Sequence, residues 1–111
     1  MILSDKVFLA LQELENVYQS TYLKDLDCTY VVFNETAEYP AFDSDDYVEG
    51  TGHDLEVHVL GLNEVEVHTY KDQIKEKLSQ VGFDWLGNGN EFIQEINYFH
   101  IQLNFYYLEE E

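Results

Sequence analysis

The chain of 111 residues is the size of one domain, and its 45% hydrophobic and 15% aromatic residues supply a core that acidic disordered chains lack. Its 23 acidic residues face five lysines and no arginine, a formal charge of -18. That field argues against direct phosphate binding and against anionic membranes, because affinity for nucleic acid comes largely from Lys and Arg displacing counterions.

Taken in order, Ser4 stands ahead of a stripe of Val7, Leu11, Leu14 and Tyr18, widened by Ala10 and Val17. This spacing predicts a helix over about Asp5 to Ser20, with Ser4 as its cap and Asp5 at the positive end of its dipole. No signal-peptide blocks precede it, and no apolar run reaches the length of a membrane span, so a soluble chain is expected. The single Cys28 has no internal disulfide partner and reads as a small buried filler. Thr29 to Asn34 is a predicted strand. From Glu35 to Gly52 the pattern breaks around Pro40, which predicts a long acidic loop or a short strand near Asp46 to Glu49.

Leu55, Val57 and Val59 then alternate with Glu56 and His58, the period of a half-buried strand. After Gly61 the spacing lengthens: Val67, Tyr70, Ile74, Leu78 and Val81 recur every three or four residues, a helix stopped by Gly82. Phe83 to Leu86 and Glu91 to Ile96 flank Gly87, Asn88, Gly89 and Asn90, an Asn-Gly hairpin signal. Gln94 to Asn97 is expected to loosen the pairing before a last strand, Tyr98 to Leu108, the cleanest alternation in the chain. Glu109 to Glu111 read as a solvated tail. One α+β domain spanning residues 1–111 is expected, with a two-layer, mostly antiparallel sheet packed by two helices.

Chemistry is sparse. Asp43, Asp45, Tyr47 and Glu49 have the two-residue carboxylate spacing of calcium loops, but Val48 stands where the turn glycine belongs, so a solvated acidic surface is favoured. His58 and His100 fall on the polar faces of their strands with Glu56 nearby, whereas His53 and His68 are isolated. Neither C-x-x-C nor H-E-x-x-H is present, and the pair reads as histidines on a wet or subunit-facing surface, so no metal or cofactor is expected. Nucleophile elbows, phosphate loops and an activated Cys28 are also missing, leaving no enzyme signal. Lys71, Lys75 and Lys77 are three of the five lysines on one helix. They complement its dipole, or they meet the acidic Asp43, Asp45, Asp46 and Glu49 of a neighbouring copy in a head-to-tail contact.

The runs TYVVFNETAEYPAF, DSDDYVEGTGHDLEVHVLG, IKEKLSQVGF and NYFHIQLNFYYLEEE, in that order, resemble the small tail-completion and tail-terminator proteins of long-tailed bacteriophages. The resemblance covers most of the chain from Thr29 onward and rests on the pattern of strands, acidic loop and helix. It implies a ring, typically of six subunits, at the head-tail junction of a virion assembled in the bacterial cytoplasm. The partners it implies are the tail tube protein and the head connector proteins. Carboxylates lining such a channel would let DNA slide without sticking. A rival of another class is an acidic inhibitor that imitates DNA and fills the cleft of a basic nucleic-acid-binding protein.

Overall fold

The computed structural model describes residues 2–19, 28–42, 48–89, 92–93 and 99–110. Strands β1 (Val17–Gln19), β2 (Tyr30–Phe42), β3 (Val48–Gly61), β4 (Asp84–Asn88), β5 (Phe92–Ile93) and β6 (Phe99–Glu110) form one sheet. Its order is β1-β2-β3-β6-β4, with β5 also on β6, and among the described residues only the β1-β2 pairing is parallel. Helices α1 (Leu3–Ala10) and α2 (Glu64–Gln80) cover one face, which makes the fold the expected two-layer α+β arrangement.

The core lies between that face and the helices. Val31, Phe33, Leu55, Val57, Val59, Ile101, Leu103 and Phe105 point from the sheet toward Val7, Leu11, Val67, Ile74 and Leu78. Burying each such side chain is worth about 1.5–3 kcal/mol relative to exposure. A smaller apolar cluster of Tyr30, Val32 and Leu60, with Tyr18 against it, occupies the opposite face.

Helix α2 follows its sequence signals. Asn63 caps it by accepting from the Glu66 amide at 3.0 Å. At its end Gly82 takes φ +97°, and the Phe83 amide donates to the Leu78 carbonyl at 3.0 Å, satisfying a carbonyl the helix leaves open.

Five expectations need correction. The first helix stops at Ala10, and its N-cap position is Ile2, not Ser4, with no side-chain cap. Asn16 turns the chain at φ +60°, and Val17–Gln19 becomes β1, docked by the Val31 amide on the Asn16 carbonyl at 2.9 Å. Long-range pairing here overrides a local helical period.

Of the two readings for Glu35 to Gly52 the strand through Gly50 and Gly52 is the nearer, but more of the stretch is strand than expected: β2 continues through Pro40 to Phe42, and β3 starts at Val48. Since β1 pairs only Val31 to Phe33, the outer edge of β2 is unpaired at Pro40 among the described residues, and the missing amide costs no ladder bond there. Asp43, Asp45, Asp46 and Tyr47 lie outside the described residues.

The Asn-Gly hairpin does not form. Instead β4 and β5 run end to end along the same edge of β6: Asp84 faces Tyr106, Asn88 faces Leu103, and Phe92 faces His100. A register shift between Trp85 and Gly87, with Gly87 at φ +121°, marks a bulge that consumes the glycine. Gln94 to Asn97 lie outside the described residues. Finally, Glu109 and Glu110 are strand residues facing Thr51 and Gly50, not tail; Glu111 lies outside the described residues. Cys28 is half-buried rather than enclosed, and accepts from Asn16 Nδ2 at 3.3 Å.

The molecule is long, 51 × 25 × 22 Å. None of the core residues falls in Thr36 to Ala41 or Gly50 to Gly52, so this end of β2 and β3, with the end of β6, forms an arm beyond the helical layer.

Candidate functional site

The root of the arm is organised by a bulge. Glu35 pairs with Leu55, but Ala37 pairs with Asp54 and Glu38 with His53, so β2 carries one extra residue between Glu35 and Ala37. Without it, Glu35 and Glu38 would point to opposite faces of the sheet. With it, both face the side that carries Leu55 and His53.

His53 stands on the central strand between these acids and β6, only 5% exposed. Its Nδ1 is hydrogen-bonded to Glu35 Oε1, and its Nε2 lies 3.4 Å from Glu109 Oε1. One donor atom from each of Glu35, Glu38 and His53 lies within 4.8 Å of the others. Tyr107 tilts against the imidazole with centroids 6.2 Å apart, and Lys6 Nζ sits 5.0 Å from the centre of the Tyr107 ring. Burial pulls the His53 pKa down, but hydrogen bonds to Glu35 and Glu109 and the charges of Glu35 and Glu38 outweigh it, leaving it above 6.5. His53 is thus not the isolated residue the sequence implied.

His58 and His100 do meet, as their strand positions allow, but they are buried rather than wet, at 5% and 7% exposure. His58 Nε2 is 2.7 Å from Glu56 Oε1, and His58 Nδ1 is 2.7 Å from His100 Nε2. Glu56 accepts from His58 Nε2, so with both rings neutral His100 Nε2 donates to His58 Nδ1. Burial and the neighbouring His58 push the His100 pKa down to about 4, with Glu56 offsetting part of the fall. His68 accompanies Lys71, with Nδ1 3.3 Å from its Nζ.

The three lysines of α2 all have contacts within the chain. Lys77 bonds Glu13 at 2.7 Å, Lys75 lies 3.7 Å from the centre of the Trp85 ring, and Lys71 is 3.6 Å from Asp72. Glu49 is in β3, whereas the other acids proposed to oppose the lysines lie outside the described residues. On the arm, the Tyr39 hydroxyl donates to Asp54 at 3.0 Å, and its ring stacks near Tyr106 at 6.4 Å. Two clefts of about 250 and 260 Å³ open beside α1 and between Glu13 and Lys77. Large apolar side chains also reach solvent, among them Val65, Leu86 and Trp85 at 76%, 62% and 45% exposure. Trp85 and Leu86 belong to β4 at the sheet edge.

No protein-family model matches the chain, and no curated protein matches it. Among solved structures it is similar to a chain of one described as "Virion of native gene transfer agent (GTA) particle". The TM-score is 0.65 at 19% identity, covering 98% of this chain and 95% of that one. At this identity the likeness is one of fold.

Proposed function

We propose that the chain is a structural virion protein that closes into a ring at the head-tail junction, ending the tail and leaving a channel for DNA. The observation that carries this reading is the two-way coverage: the virion chain and this one share a fold over 95% and 98% of their lengths. A protein built for assembly also explains why Trp85 and Leu86 remain on a sheet edge that is open among the described residues, where a neighbouring surface would bury them.

In this reading the partners are other copies of the chain, six in the expected ring, with the tail tube protein on one side and head connector proteins on the other. The contact pairs Asp43, Asp45, Asp46 and Glu49 of one copy with Lys71, Lys75 and Lys77 of the next. Its lysines would exchange their present neighbours, Glu13 on Lys77 above all, for the acids of the adjoining subunit. Deleting the gene from its phage or prophage tests the reading: unjoined heads and tails, or tails of uncontrolled length, are expected. Normal virions from the deletion would refute it.

A further inference from the structure

We propose that Glu35, Glu38 and His53 form a binding site for a divalent transition-metal ion, with Glu109 holding the imidazole from its far side. Four features of the geometry carry this. The donor atoms come from two adjacent strands and converge within 4.8 Å, close enough for modest carboxylate movement to bring them around one ion. The nitrogen donor is the fixed part: His53 is 5% exposed and anchored on the central strand, while Glu35 and Glu38 are exposed and adaptable. The bulge between Glu35 and Ala37 turns both carboxylates toward that nitrogen, which regular alternation would prevent.

The fourth feature is the division of labour on the ring. Glu35 meets Nδ1 and Glu109 meets Nε2 at 3.4 Å, so the two acids address opposite nitrogens. With Nε2-H donated to Glu109, loss of the Nδ1 proton would leave the Nδ1 lone pair facing Glu35 and Glu38. This is the carboxylate-histidine-metal arrangement in which an outer acid fixes the tautomer and raises ligand basicity. Three protein donors leave a coordination position open to water.

The ion is defined by its donors. A nitrogen among the ligands disfavours calcium and magnesium, which take oxygen shells, and suits zinc and its first-row neighbours. Charge favours it too, since three carboxylates surround a single imidazole and, among the described residues, the nearby cation is Lys6, across the Tyr107 ring. In the metal-free molecule a proton occupies the place between Nδ1 and Glu35. Binding releases it, so affinity must fall as the pH is lowered.

Calorimetric titration of the isolated chain with zinc chloride, and separately with calcium chloride, tests the site independently of any ring. One zinc per chain is expected, with calcium at least tenfold weaker. Affinity should drop about tenfold or more in Glu38→Gln and further in His53→Ala, with a smaller loss in Glu109→Gln. Glu38 is exposed, so its variant reads the site even if His53→Ala destabilises the arm. Undiminished zinc binding in Glu38→Gln, equal binding of calcium, or no zinc binding by the wild-type chain would each overturn the proposal.

Discussion

At the scale of single residues, two buried histidines bias stability in opposite directions with pH. The folded pKa of His53 is raised above 6.5, so protonation favours the folded state. Its contribution is complete below 6.5 and is lost as pH rises through the folded value. The groups that face it are Glu35, Glu38, Tyr107 and Glu109, with Lys6 over the tyrosine ring. An NMR titration should place the His53 midpoint above 6.5, and Glu35→Gln should lower it; an unmoved midpoint would sink this account. His100 is the reverse case. Its pKa falls from 6.5 to about 4, so the unfolded chain takes its proton first and stability drains away as pH falls between those values. At about 1.4 kcal/mol per unit the full loss is on the order of 3.5 kcal/mol. In His100→Gln, where the amide keeps a donor for His58, denaturant unfolding should show the variant gaining on wild type by up to that amount from about pH 7 to about pH 4. A constant difference across that range would show that the ring takes no part.

At the scale of elements, α2 rests on a narrow stripe. Ile74 is fully buried in the core, whereas Val65 on the same helix is 76% exposed. Ile74→Ala should therefore cost about 2–5 kcal/mol in unfolding measurements, and Val65→Ala should stay within about 0.5 kcal/mol. Equal effects would mean that the helix does not seat by this stripe. The same contrast explains what the sequence revealed. The helix from Val67 to Val81, the alternation of Leu55 to Val59 and that of Phe99 to Tyr107 were legible because one face of each is apolar and the other carries polar residues, so local spacing and tertiary role agree. Where pairing partners decide, local spacing misleads. The stripe from Leu11 to Tyr18 keeps a helical period, yet Val17 is held by Val31 across a parallel pair. Gly87 and Asn88 carry a turn signature but sit in an edge strand because β6 is long enough to pair β4 and β5 together. The Glu35, Glu38 and His53 cluster was hidden for the same reason. It depends on a bulge and on a strand register between residues eighteen apart in the case of Glu35 and His53, and neither leaves a short-range mark.

At the scale of the whole molecule, a formal charge of -18 is a standing load on the folded state. Screening should relieve it, so the unfolding midpoint is expected to rise with added sodium chloride, and a flat response would mean that local pairs already balance the field. Assembly asks a sharper question, because salt weakens attraction between subunits as well as repulsion within them. Reversing Lys71, Lys75 and Lys77 to Glu should cost the fold little, since Glu13 of the Lys77-Glu13 pair is solvent-screened and the Lys75-Trp85 contact is worth about 0.5–2 kcal/mol. The same change should abolish a ring that depends on acids of the adjoining copy, but it also makes the chain more acidic, and greater repulsion alone could produce that result. Combining it with Asp43→Lys, Asp45→Lys and Asp46→Lys removes the ambiguity: three reversals each way return the formal charge to -18. If the lysines and the acidic segment meet across subunits, the combined variant restores the pairing with its signs exchanged, and rings reappear by light scattering at the wild-type concentration. If it stays as dispersed as the lysine variant although its net charge is normal, these two segments do not touch in the assembly.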